Sequence, residues 1–192
     1  MLKGKTALIT GSTGIGLATA HTLAEQGINL VLHGLMDQAE GEALAQEFAT
    51  KYHIKTYFDN ADLMDADAIS AFMAHAKSIM GSINILINNA GIQHTESVEN
   101  FPVSKWNAII AINLSAAFHT IQQSIPEMKA EGWGRIINIA SVHGLVGSVN
   151  KSAYVAAKHG IIGLTKVVAL ECAESGITAN AICPGLGRHT IN

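Results

Sequence analysis

The sequence predicts an α/β fold, a doubly wound parallel sheet of the Rossmann type with helices on both faces. Three observations carry this. Apolar runs of about five residues alternate with helix-length periodic segments, as repeated βαβ units require. The run INILIN at 83–88 has no polar alternation, so a strand there must be covered on both faces, as in parallel sheets. The glycine-rich stretch TGSTGIG at 10–16 directly follows the first apolar run and opens the first periodic segment, where folds of this type meet a phosphate.

Taken in order, the expected strands are TALIT at 6–10, NLVLH at 29–33, then 55–58, 83–87, 135–140 and 178–182. Helical periodicity occupies 15–26, 38–51, 67–80, 105–129 and 152–175 between them. The three prolines are expected at helix starts or turns. No repeat, low-complexity tract or linker interrupts this order, so residues 1–192 are expected to form a single dinucleotide-binding and catalytic domain. A chain of this length buries roughly 70% of its unfolded surface, enough for one core.

Composition narrows the partners. Hydrophobic residues make up 48% and charged residues 14%, which argues against disorder. A net charge of −3 and a pI near 6.3 provide no basic field for nucleic acid. Cys172 and Cys183 lack metal or redox spacing and read as small hydrophobes in a reducing compartment. No uncharged apolar run reaches the ~18 residues of a membrane span, and the N-terminus enters a strand pattern without a signal-type core. The expectation is a cytoplasmic protein without membrane or nucleic-acid partners.

In open parallel sheets ligands lie beyond the carboxyl ends of the strands, and the informative short stretches all follow strands. Gly11, Gly14 and Gly16 form a turn where absent side chains admit a pyrophosphate to a helix N-terminus. Asp62 after the third strand either accepts from an adenine amino group or caps the next helix, a role for which Asp65 competes. Leu35 is a candidate adenine wall, and Asp37 lies far along for a ribose ligand. No Lys or Arg occurs in 28–47 to neutralise a 2′-phosphate, which favours NAD over NADP.

Tyr154 and Lys158 are four residues apart on a predicted helix, so their Cβ atoms lie about 5–6 Å apart on one face. An ammonium beside a phenol stabilises the phenolate and makes tyrosine a general base. Ser141 follows the fifth strand and can converge on the same substrate oxygen. An ammonium at Lys151 suits a small anion, with Gln93 and His143 as further donors.

TGSTGIG, NNAG at 88–91, Asn113 in AINLS, Ser141, YVAAK at 154–158 and CPG at 183–185 together resemble the short-chain dehydrogenase/reductase family, in matching order over nearly the whole chain. The resemblance implies that Tyr154 is the acid/base, Ser141 holds the substrate oxygen and Asn113 maintains a water relay to Lys158. Lys158 would also grip the nicotinamide ribose. It implies NAD bound along Gly11, Thr13, Gly14, Ile15, Gly16, Leu35, Asp62, Leu63, Asn89, Ala90, Gly91, Tyr154, Lys158, Pro184 and Gly185. Within the family, NNAGIQH and SVHGLVGSVNKSAYVAAKHG are most similar to enzymes that oxidise (R)-3-hydroxybutanoate to acetoacetate with NAD. There Gln93, His143 and Lys151 would hold the substrate carboxylate, in a homotetramer. The alternatives are an NADPH-dependent 3-ketoacyl reductase and a catalytically impaired dinucleotide-binding remnant.

Two departures from the family pattern shape the expectations. The glycine loop has only Ser12 and Thr13 between Gly11 and Gly14, one residue fewer than usual, so either the loop or the following helix must absorb the difference. The chain stops at CPGLGRHTIN, with Leu186 where the hydroxybutyrate enzymes carry tryptophan. The last strand, the substrate lid and part of the assembly surface are accordingly expected to be missing, leaving activity and oligomeric state in question.

Overall fold

Continuous apolar strands need cover on both faces, and the computed structural model, which describes residues 2–185, supplies it. The strands are β1 (Thr6–Thr10), β2 (Asn29–His33), β3 (Thr56–Asp59), β4 (Ile85–Asn88), β5 (Gly134–Ile139) and β6 (Ile177–Ile182). They form one parallel sheet in the order β3-β2-β1-β4-β5-β6. Alternate residues point to opposite faces, so Leu8, Val31, Leu86 and Ile136 enter one core and Ala7, Ile9, Leu32 and Ile87 the other. The first core is closed by α3 (Ala66–Met80), α5 (Ala116–Glu131) and α6 (Ser152–Glu171), the second by α1 (Gly14–Glu25) and α2 (Gln38–Tyr52).

Strand order reverses between β1 and β4, and the loops that leave these two strands diverge above their carboxyl ends. That divergence opens the cleft in which the motifs meet. Asp37 and Asp65 cap α2 and α3 by accepting from the N–H groups of Ala39 and Asp67. Asp37 thus has a structural task and Asp65 takes the capping role for which Asp62 was the rival.

Two expectations are corrected. The helix expected over 105–129 is three pieces: α4 (Val103–Ile110), a π-helical turn (Ala111–Ser115) and α5. Such turns insert an extra residue into the helix and re-aim its side chains; here the turn buries Asn113, whose amide reaches the loop after β4. Pro126 lies inside α5 and at neither a start nor a turn. It removes the N–H that would serve the Gln122 carbonyl, and both residues are on the exposed face where water can take over. The neighbouring Gln123 carbonyl accepts from Lys77 Nζ at 2.6 Å.

With a mean hydropathy of 1.3, α6 is long and apolar enough to cross a membrane by those measures alone. Here its Ala153, Ala157 and Ile161 are buried against α4, α5 and the end of β5.

Candidate active site

At the nucleotide end the shortened loop is a tight turn that leads straight into α1. Gly11 and Gly14 adopt positive φ of 74° and 50°, and α1 starts at Gly14 with Gly16, Ala20 and Ala24 on its buried face. A Cβ on Gly11 would lie 2.9 Å from Ala90 Cα, and one on Gly16 would collide with the Gly11 carbonyl and the Asn89 amide. Side chains are therefore excluded by the approach of the β4 loop. That loop is held by Asn89, whose Nδ2 donates to the Gly11 carbonyl at 2.7 Å, and by Thr10, whose Oγ accepts from the N–H groups of Asn89 and Ala90 at 3.1 Å each.

A cavity of about 410 Å³ opens over this turn, lined by Gly11, Thr13, Leu35, Asp62, Leu63, Asn89, Ala90 and Gly91 among others. Leu35 is 79% exposed and free to form a wall. Asp62 accepts from the Met64 N–H at 2.8 Å, which leaves its second oxygen available. Leu63 is buried in the sheet core, so its side chain serves packing. Gly14 and Gly16 line neither this cavity nor the next and act on the turn's shape.

A second cavity, of about 490 Å³, shares Asn89, Gly91 and Ile92 with the first. It gathers Ile15, Gln93, Ser141, His143, Lys151, Tyr154, Lys158, Pro184 and Gly185. Residues from the ends of β4, β5 and β6 and the start of α6 thus meet at one place, as their positions after strands required. Tyr154 and Lys158 face the same space, with Lys158 Nζ 5.6 Å from the phenol ring centre. The His143 ring stands edge-on to Tyr154 at 6.1 Å. Ser141 Oγ accepts from the His143 N–H at 3.1 Å, so its own proton remains to be donated.

Lys158 is only 4% exposed, and its Nζ donates to the Ile139 carbonyl at 2.6 Å. Burial pushes its pKa down to about 8, against a smaller opposing influence of Cys183. The bond to Ile139 uses one of three ammonium protons and leaves two for other partners. Lys151 directly precedes α6; its residue pairs with Glu96 in an isolated parallel bridge, and the Glu96 N–H donates to the Asn150 carbonyl at 2.9 Å. The loop carrying Gln93 is thereby tied to the segment carrying Lys151.

Asn113 lies behind this cavity. Its Oδ1 accepts from the Ile92 N–H at 2.8 Å and its Nδ2 donates to the Ile92 carbonyl at 2.9 Å. The side-chain amide is thus engaged in holding the β4 loop. Leu186 falls outside the described residues.

Sequence reasoning missed Thr10, His33 and a buried chain of side chains. In that chain Thr120 donates to Asn88, Asn88 to Asn138 and Asn138 to Thr165, bonds of 2.7–2.9 Å that join α5, β4, β5 and α6. The signal available was the presence of amides at the ends of otherwise apolar strands.

A parallel sheet with a glycine turn at its reversal point and a Ser-Tyr-Lys set beside it defines a nicotinamide-dinucleotide oxidoreductase. Comparison with known proteins agrees: residues 5–191 match the family described as short chain dehydrogenase, and the chain belongs to it. It is 55% identical over 190 residues to a D-beta-hydroxybutyrate dehydrogenase of Cupriavidus necator, spanning 96% of this chain and 71% of that protein. A protein of the same name from Rhizobium meliloti is 56% identical over 182 residues, spanning 94% and 70%. Among solved structures, an NAD+-bound xylitol dehydrogenase superposes with a TM-score of 0.88 at 32% identity, covering 96% of this chain and 71% of that one.

Proposed function

We propose that this chain oxidises (R)-3-hydroxybutanoate to acetoacetate with NAD as the acceptor. The observation that carries the proposal is the single cavity in which Ser141, Tyr154 and Lys158 stand with Gln93, His143 and Lys151. An acid/base set and a carboxylate set side by side suit a short hydroxy acid.

The fit to a dinucleotide rests on the adjoining cleft. Its turn is closed to side chains, the small residues Ala90 and Gly91 line it, and the buried hydroxyl of Ser12 has no protein partner. The start of α1 adds the positive end of a helix dipole. In this reading NAD lies along Gly11, Thr13, Leu35, Asp62, Asn89, Ala90 and Gly91 on the nucleotide side and Ile15, Tyr154, Lys158, Pro184 and Gly185 on the reacting side, all of which line the two cavities. Lys and Arg are absent from 28–47, which supports NAD over NADP.

A bound NAD would supply the hydride acceptor for the carbinol carbon. Tyr154 removes the hydroxyl proton, Ser141 donates a hydrogen bond to the same oxygen, and the ammonium of Lys158 stabilises the phenolate. Lys151 pairs with the substrate carboxylate, assisted by Gln93 and His143. The two free thiols, Cys172 and Cys183, accord with a reducing cytoplasmic setting, and in a homotetramer the exposed Phe118 of α5 and Val167 and Leu170 of α6 are apolar surface that association could cover.

The test is NADH formation from (R)-3-hydroxybutanoate, with NAD binding followed separately. Tyr154→Phe is expected to lower turnover by ~100-fold or more while NAD still binds. Activity within about tenfold of the parent would refute the assignment, since general acid–base catalysis is worth more than that. NAD binding by the parent without turnover would identify the impaired remnant.

A further inference from the structure

His33, the last residue of β2, is 1% exposed and lines the nucleotide cavity beside Gly11, Ser12 and Thr13. Both ring nitrogens are engaged. Nε2 faces the Ala61 carbonyl at 2.8 Å, and a carbonyl only accepts, so Nε2 carries the proton. Nδ1 is then a bare acceptor, and the Gly11 N–H donates to it at 3.4 Å. The His33 carbonyl meanwhile accepts from the Ser12 N–H at 2.7 Å. One residue thus takes the first two amides of the phosphate-binding turn, that of Ser12 through its main chain and that of Gly11 through its ring, and only a neutral ring of this tautomer can accept from Gly11.

From this geometry we infer that His33 is a positioning residue for the turn and makes dinucleotide affinity depend on pH. The inference rests on the reading of this cleft as a dinucleotide site. Protonation turns Nδ1 into a donor facing another donor, the Gly11 N–H. The ring has little room to turn away: it packs against Phe72 of α3 at 5.6 Å, and the residue pairs with Thr10 and Asp59 in the sheet. The Gly11 peptide therefore yields, disturbing the turn between its bonds to His33 and Asn89. Burial holds the His33 pKa below 6.5, so the neutral form prevails at neutral pH.

Among the described residues, the charge whose field reaches the ring is Asp59 of β3, already engaged by Tyr57 Oη at 2.6 Å and the Ala61 N–H at 2.9 Å. Asp62 lines the same cavity as His33, α3 presents Phe72, and α1 turns Gly16 and Ala20 inward. None of these replaces the lost acceptor.

The experiment is NAD titration of the full chain from about pH 8 down to the most acid pH at which thermal melts show it folded, alongside the Gly11 amide resonance of the cofactor-free protein. His33→Asn is the key variant because its amide oxygen can accept from Gly11, in place of Nδ1, without titrating; His33→Leu removes the acceptor, and thermal melts check that both fold. The parent is expected to lose affinity as the pH falls and His33 takes up a proton, approaching the weak binding of His33→Leu, as expected for a lost acceptor at the phosphate turn. The Gly11 resonance should titrate with it, His33→Asn should bind evenly across the range, and His33→Leu weakly throughout. Affinity independent of pH, tighter binding in acid through attraction of the cation to phosphate, or the same acid loss in His33→Asn would overturn the inference while leaving the dinucleotide site intact. Absence of NAD binding at every pH would overturn the site reading itself, and this inference with it.

Discussion

Replacing Lys158 by Met tests whether a buried ammonium underlies the chemistry. The folded chain holds this lysine near pH 8 and the unfolded chain near 10.5. Between those values the unfolded state carries a proton that the folded state lacks, so stability rises with pH across the window and levels off above it. At 1.36 kcal/mol per unit, the full interval is worth about 3 kcal/mol. Met keeps the length of the side chain without its charge. Urea unfolding of the cofactor-free parent and Lys158→Met, from about pH 7 to 11, should show the parent gaining ~3 kcal/mol relative to the variant. Tyr57, whose pKa is raised chiefly by burial and also by Asp59, titrates in both proteins and cancels in the difference. Turnover should fall in the variant because the phenolate loses its neighbouring cation. A pH-independent stability difference would show that the ammonium carries no burial penalty, and retained turnover would remove it from the chemistry.

Lys151→Ala should raise KM for (R)-3-hydroxybutanoate by about tenfold or more with a smaller change in kcat, as expected for a lost charge-assisted bond; steady-state kinetics with an unchanged KM would exclude it from the carboxylate site. Gly16→Ala forces a methyl onto the Gly11 carbonyl and Asn89, so denaturant unfolding should register a loss of about 1–3 kcal/mol and NAD titration a weaker complex. Asn113→Ala leaves both polar groups of Ile92 unpaired and should cost about 2 kcal/mol or more in stability; kinetics should show a raised KM as the Gln93 loop loosens.

Much of this protein was legible in its sequence because the signals are local. Strand and helix periods repeat within a few residues, and the expected strands at 6–10 and 29–33 coincide with β1 and β2. The i, i+4 spacing of Tyr154 and Lys158 already places both on one helix face, and both line one cavity. The sheet's rule for ligands then directed attention to the loops after strands, where Asn89, Ser141 and Pro184 reach the same cleft.

What the chain alone left open depends on partners distant in sequence. Lys158 donates to a carbonyl 19 positions away, His33 meets an amide 22 positions away, and Thr10 supports Ala90 across 80 positions. Pro126 is compatible with α5 because its face is exposed, and Asn113 points to Ile92 because a π-helical turn redirects it. A residue's own type and spacing determine its secondary structure and chemical repertoire. Burial, tautomer and the depressed lysine pKa arise only when packing removes water and supplies a particular neighbour, which no local window encodes.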